Sequence, residues 1–308
     1  MNQRNVNPRL PACAACGATA LGPHLRVAGE AGPAGLIPTT DRYGTALSDL
    51  VRCVTCGHMQ LESPAAEADL AEAYGEAASD DYLVEEEGQR VTARYVLDAI
   101  EVEVERGSLL DVGCWAGFLL SEAERRGWRC IGIEPSEYAS RHAREQLGLD
   151  VRTAGLEDAE LEPARFQAIV LSDVIEHLPD PGEALDRVSA LLAGDGVVAL
   201  TLPDAGSTLA RLLGRHWWSV IPTHVQYFTR HSLRVLLGRH DFELISVTTA
   251  PKTFTVRYYL DRLGGYSGGV RDAVVGAATR AGVADRLWAP DFHDRMLVVA
   301  RRQGPGRL

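Results

Sequence analysis

The chain has 308 residues, 46% apolar and 24% charged, enough for one large domain and a small accessory module. No apolar run approaches the ~20 residues of a bilayer span, and the opening Met1-Asn2-Gln3-Arg4 leads into no apolar signal-peptide core, so a cytoplasmic chain with no membrane partner is expected. The net charge is −11, and residues 61–110, with fourteen acidic side chains against three arginines, hold the whole excess; without a basic patch, nucleic acid is not expected as a partner.

Residues 1–62 are rich in Gly and Pro and poor in helical periodicity. Cys13-Ala14-Ala15-Cys16-Gly17 and Cys53-Val54-Thr55-Cys56-Gly57 bracket this stretch, and the glycine after each pair permits the tight turn of a metal knuckle. Four thiolates in two such turns suit a closed, structural zinc site, so Cys13, Cys16, Cys53 and Cys56 are the expected ligands. The 36 residues between the pairs are tolerable because loop-closure entropy grows slowly with length. The alternatives are unliganded cysteines or a redox dithiol, although the βα context of the latter is missing. Cys114 and Cys130 lie in apolar surroundings and read as buried thiols.

Residues 63–107 read as an acidic helical linker and cap. A helix is expected at 65–78, with Leu70 and Tyr74, and an amphipathic one at 88–105, with Val91, Tyr95, Ala99 and Val102 on its apolar stripe. From Ser108 strands and helices alternate. Strands are expected at 109–112, 128–133, 151–153, 166–171, 197–202, 242–249 and 297–300. Helices are expected from 117 to 126, from the cap Ser136 to Leu147, from Asp180 to Gly194, and from 229 to 239. An irregular insertion with helical stretches fills 252–291. The pattern predicts an α/β fold, a Rossmann-like, doubly wound, parallel seven-stranded sheet over 108–308, with ligands at the carboxyl ends of its strands.

The first chemical signal is Asp111-Val112-Gly113-Cys114-Trp115-Ala116-Gly117, between a strand and a helix. Its G-x-x-x-G spacing departs from the dinucleotide G-x-G-x-x-G and disfavours NAD. Glu134 ends the next strand, 23 residues after Asp111, where a carboxylate accepts from both hydroxyls of a ribose. The runs DVGCWAG, IGIEPS, LSDVIEHLPDP and LLAGDGVVALTLPD together resemble class I S-adenosylmethionine (SAM) dependent methyltransferases over residues 90–302. Residues 50–58 resemble the second half of the zinc ribbon that precedes many such domains. One departure is Trp115, where the family usually has glycine, which implies a reshaped cofactor pocket.

The resemblance implies roles for individual residues. Asp111, Gly113, Cys114 and Gly117 would lie along the methionine part of SAM. Glu134 would hold the ribose, with Pro135 and Ser136 beside it. Leu156 and Glu157 would flank the adenine, and Ser172 and Asp173 would cover the sulfonium side. Tyr74 and Tyr82 would fold over the cofactor from the linker.

Asp173-Val174-Ile175-Glu176-His177 follows a strand, and Pro222 to Phe228 corresponds to the acceptor border of the similar ubiquinone-biosynthesis O-methyltransferases. His224 is the first candidate general base and His177 the second, since imidazole suits proton removal near neutral pH. A divalent metal on Asp173, Glu176, His177 and His224 is a rival use of the same groups. Trp217-Trp218, and Phe254, Tyr258, Tyr259 and Tyr266 of the insertion, are candidates for the acceptor wall. The expected activity is methyl transfer from SAM to a small-molecule acceptor, as O-methylation in a sugar, glycan or secondary-metabolite (natural product) pathway. C-methylation and a non-catalytic SAM-binding scaffold are the alternatives. A homodimer is compatible with the sequence.

Overall fold

The computed structural model describes residues 12–29, 43–63 and 83–303. The expected helix at 65–78, with Tyr74, and the candidate Tyr82 lie outside the described residues. In chain order the elements begin with three short strands, β1 (Leu21–Leu25), β2 (Leu50–Cys53) and β3 (Met59–Leu61), followed by helix α1 (Glu86–Glu101). Then come β4 (Ser108–Val112), α2 (Phe118–Arg125), β5 (Arg129–Ile133), α3 (Glu137–Leu147), β6 (Val151–Arg152) and β7 (Phe166–Ser172). A 3-10 turn at Ile175–His177 leads to α4 (Pro181–Leu191), β8 (Leu192–Pro203), α5 (Thr208–Leu213), β9 (Gln226–Tyr227), α6 (Arg230–Arg239) and β10 (Phe242–Thr249). The insertion holds β11 (Phe254–Thr255), α7 (Val256–Asp261), α8 (Gly268–Arg280) and β12 (Leu287–Trp288), and β13 (Arg295–Arg302) closes the fold.

The main sheet has seven strands in the order β10-β13-β8-β7-β4-β5-β6. It is mixed rather than parallel throughout, because β13 runs antiparallel to both β8 and β10. Leu109 faces a layer that includes α1, α2 and α3, while Leu110 and Val112 face the layer of α4 and α6. That alternation is the period-2 consequence of a strand covered on both faces. From β4 the chain winds outward through β5 and β6, then returns to β7 on the other side of β4. The carboxyl end of β4 is therefore a topological switch point, where a crevice opens.

Local chemistry sets the helix starts. Ser136 accepts from Ala139 N–H at 3.2 Å to cap α3, and Asp180 accepts from Gly182 and Glu183 to cap α4, with Pro181 in its first turn. Thr229 and Ser232 form a reciprocal capping box on α6. Helix α4 stops at Leu191, short of the expected Gly194, because β8 already begins at Leu192. In α1 the core face is Ala93, Val96, Leu97 and Ile100. Tyr95 and Val102 of the expected stripe are exposed instead, and Tyr95 and Ala99 line the crevice. No described helix is long and apolar enough to cross a membrane.

Strands β1, β2 and β3 form a second, antiparallel sheet, to which β9 of the main domain adds a fourth strand. The predicted module at 1–62 thus shares backbone hydrogen bonds with residues 226–227.

Candidate active site and four-cysteine centre

The turn after β4 is dictated by backbone conformation. Gly113 has φ +67° and a Cβ there would sit 2.7 Å from Val174 Cγ2, so only glycine leaves the crevice floor open. Trp115, with φ +48°, is also left-handed. A left-handed backbone favours glycine, as the resemblance implies for this position, and holding a bulky residue there costs about 1–2 kcal/mol. Its N–H donates to Glu134 Oε2 at 2.8 Å, and Ser136 N–H donates to Glu134 Oε1 at 2.8 Å. Glu134 thereby braces the two loops that follow β4 and β5. Burial holds its carboxyl above the usual range, against the pull of these two N–H donors, and burial together with the Glu134 charge raises Asp111 as well.

These groups open onto one cavity of about 1230 Å³. Asp111, Gly113, Cys114, Glu134 and Pro135 line it, as do Leu156, Glu157, Ser172, Asp173, His177 and His224. Two expected residues do not. Gly117 (φ +82°) packs against Leu149 and Ala143, where it starts α2, and the buried Ser136 is used up in capping α3. Both therefore support the crevice from behind. Trp217 is a core residue whose indole donates to Asp294 at 2.9 Å, whereas Trp218 reaches the cavity.

On the far side, Asp173 is held by Lys252 at 2.6 Å and by Arg295. Burial opposes its ionisation, but these two cations outweigh it and hold the carboxyl well below the carboxylate range. Sequence reasoning missed both partners. His177 Nδ1 donates to Thr223 O at 2.9 Å and His224 Nδ1 to Ser219 O at 2.8 Å. The rings meet edge-on, 4.7 Å between centroids. Because a carbonyl only accepts, both Nδ1 atoms carry the proton and each Nε2 carries a lone pair. Burial keeps both imidazoles neutral: it brings His177 down to about 4, and His224 lies well below its usual range, pushed further by His177.

Glu176 is 2% exposed, and neither carboxylate oxygen has a hydrogen-bond partner. Burial, then the Asp173 charge, raises it to about 8. The donor atoms of Glu176, His177 and His224 lie within 4.8 Å of one another. Asp173 is not in this set, which corrects the four-ligand expectation, because its oxygens face Lys252 and Arg295. The raised Glu176 has a consequence for stability. Between its unfolded value near 4.5 and about 8, the folded state holds a proton that the unfolded state has lost, so stability falls as pH rises through that window. Denaturant unfolding should find Glu176→Gln more stable than wild type at about pH 9, the difference vanishing near pH 4.

The four N-terminal cysteines also come together. Cys13 and Cys56 sulfurs are 3.6 Å apart, as are Cys16 and Cys53, and all four lie within 4.8 Å. A tetrahedron of ~2.3 Å zinc–sulfur bonds has edges of about 3.8 Å, so the donors fit that ion. Gly17 and Gly57, at φ +74° and +73°, donate to Cys13 O and Cys53 O and close the two knuckles. Burial pushes the Cys13 thiol up to about 11, and a cation held among the four sulfurs would favour its ionised form.

A family model described as a methyltransferase domain matches residues 84–247, more than half of the chain. The chain belongs to the class I SAM-dependent methyltransferases. Among curated relatives of this methyltransferase, the ubiquinone biosynthesis O-methyltransferase of Nitrobacter winogradskyi is 36% identical over 116 residues, 36% of this chain and 40% of the relative. That of Actinobacillus pleuropneumoniae serotype 5b is 32% identical over 146 residues, 44% and 57%. The chain thus spans about half the length of the curated relatives it matches. The 1,6-didemethyltoxoflavin-N1-methyltransferase of Burkholderia thailandensis shares the fold, with a TM-score of 0.50 at 15% identity over 81% of this chain and 97% of that one.

The methyltransferase fold makes Glu134 testable. Glu134→Gln replaces one accepting oxygen with an amide that faces an N–H donor, so calorimetry should find S-adenosylhomocysteine binding weakened by about tenfold or more.

Proposed function

We propose that this chain transfers a methyl group from SAM to a hydroxyl of a small-molecule acceptor, with His224 as general base. The observation that carries the reading is a neutral His224, its Nδ1 proton anchored on Ser219 O, in the same cavity as the glycine turn and Glu134. When bound, SAM supplies a methyl group already activated by its sulfonium. Asp111, Gly113, Cys114, Glu134, Pro135, Leu156, Glu157, Ser172 and Asp173 would hold and orient it. His224 Nε2 then takes the acceptor's hydroxyl proton, and Ser219 O steadies the imidazolium that forms. Holding the reactants in line can supply roughly 7–11 kcal/mol of the barrier.

The relatives named as O-methyltransferases support transfer to oxygen. Their names speak of ubiquinone biosynthesis and so do not favour the sugar, glycan or secondary-metabolite acceptors expected from the sequence. The cavity's outer wall weighs toward a flat or apolar acceptor body. Phe254 stacks on Tyr258 at 4.1 Å, Tyr259 and Trp288 meet edge-on at 5.4 Å, and Phe292 packs on Trp218. C-methylation of an activated carbon would use the same base.

We also propose zinc on Cys13, Cys16, Cys53 and Cys56. A second use of the acceptor side is a divalent cation on Glu176, His177 and His224, favoured by the partnerless Glu176 carboxylate. Manganese titrated into wild type and Glu176→Gln tests it, and equal binding would exclude that site. For methyl transfer, the test is calorimetry with SAM, S-adenosylhomocysteine and NADH. Micromolar binding of the two sulfur ligands alone is expected, and no binding of either would bring the scaffold reading forward.

A further inference from the structure

The segment that carries His224 is not held by the main sheet alone. Its continuation, β9, pairs with β3 of the four-cysteine module, Met59 opposite Tyr227 and Gln60 opposite Gln226. Leu61 N–H donates to Val225 O at 3.2 Å, and Val225 N–H donates to Glu176 O at 3.0 Å, next to His177. A two-residue strand has little hold of its own, so β3 helps to fix β9 alongside Val225 N–H on Glu176 O and Ala205 N–H on Phe228 O at 2.8 Å.

Side chains repeat the connection. His58, two residues beyond Cys56, is fully buried, with its ring 4.6 Å from Phe228. Its Nε2 donates to Gln226 Oε1 at 2.9 Å, and its Nδ1 has no hydrogen-bond partner, so Gln226 is the ring's polar tether. The Gln226 amide nitrogen donates onward to Pro179 O at 3.1 Å and Leu178 O at 3.4 Å, the residues directly after His177. One amide therefore joins the second knuckle to the loop of His177, while its own backbone lies two residues from His224. On the module side, Gln60 accepts from Ala14 N–H at 2.9 Å and donates to Ala12 O, which ties the first knuckle to the same strand.

We propose that His58 and Gln226 are positioning residues, through which the metal-loaded four-cysteine module sets where His177 and His224 stand in the cavity. The inference rests on the methyl-transfer reading for what is positioned, but the coupling itself can be read without an acceptor. Losing the metal frees the knuckle that carries His58, and the loops at 176–179 and 223–227 then open more often.

The test uses the full chain loaded with zinc, and compares wild type with His58→Leu, His58→Gln and Gln226→Leu. Zinc content, S-adenosylhomocysteine affinity, amide hydrogen exchange and the ring resonances of His177 and His224 are measured for each. His58→Leu and Gln226→Leu should lose about tenfold or more in amide protection at 176–179 and 223–227 and shift both ring resonances, with ligand affinity within about threefold. His58→Gln, whose amide nitrogen reaches the place of Nε2, should restore the wild-type pattern. Chelating the zinc from wild type should reproduce the leucine variants while the strand at 108–112 stays protected. Wild-type protection and ring resonances in zinc-loaded Gln226→Leu, which alters no residue of either knuckle, would overturn the proposal even where His58→Leu fails to fold. Should wild type fail to bind S-adenosylhomocysteine while Gln226→Leu still loosens the loops, the methyl-transfer reading falls and the coupling stands.

Discussion

His224→Ala is expected to lower methyl-transfer turnover by about 10²–10⁴-fold while S-adenosylhomocysteine affinity stays within about threefold. The two effects separate if the proposed roles hold, because His224 lines the cavity from the 223–227 segment, whereas the glycine turn and Glu134 line it from the ends of β4 and β5. The ring is buried and fixed by Ser219 O, so alanine leaves a cavity whose groups cannot take over the proton in the same geometry. His177 is the nearest substitute, its ring 4.7 Å away, and it sets the residual rate. Because burial, then the neighbouring His177, holds His224 well below the usual histidine range, loss of wild-type turnover from imidazole protonation should set in at lower pH than for an ordinary histidine base. Turnover and pH profile are measured on any hydroxyl acceptor found by mass spectrometry, and full turnover in His224→Ala would remove the residue from the mechanism.

Chelating the proposed zinc is expected to unfold the β1-β2-β3 sheet, since a structural zinc on four thiolates contributes about 10 kcal/mol or more to folding of a module this small. The module's own core is modest: Leu50, Met59 and Leu61 with a few neighbours pack against Tyr227 and Trp217 of the main domain. Metal analysis should find one zinc per chain, and far-ultraviolet circular dichroism should lose strand signal on chelation and regain it on adding zinc. Well under one zinc per chain, or an unchanged melting curve in chelator, would refute this. The seven-stranded sheet should survive, because its core faces α1, α2 and α4 rather than the cysteines alone.

Much of this architecture is legible in the sequence. The β4–α2 and β5–α3 units announce themselves through short apolar strands, Gly113, and the Ser136 cap, all local signals. The failures are non-local. Nothing in Leu297–Ala300 states that its strand runs antiparallel between β8 and β10; the partners on both sides decide it. The stripe of α1 was ambiguous because one apolar face meets the core and another meets a cavity, and periodicity does not separate the two. The sequence offers His177 and His224 as candidate bases, but their tautomers depend on Thr223 O and Ser219 O. Lys252 and Arg295 reach Asp173 from the insertion and from β13, and His58 reaches Gln226 across 168 residues, so no spacing rule exposes either.

The insertion leaves the sheet after β10 and returns at β13, and these strands are hydrogen-bonded neighbours, with Thr249 opposite Met296 and Ala250 N–H donating to Arg295 O at 3.3 Å. Its two ends are therefore fixed side by side by the sheet whatever lies between them. Lengthening such a closed excursion costs little, since closure entropy rises only logarithmically. The insertion, proposed above as part of the acceptor wall, is in this sense a replaceable cartridge: grafting a longer or differently lined excursion between β10 and β13 should leave the order of β4 and β5, and the turns at Gly113 and Glu134 that follow them, as they are.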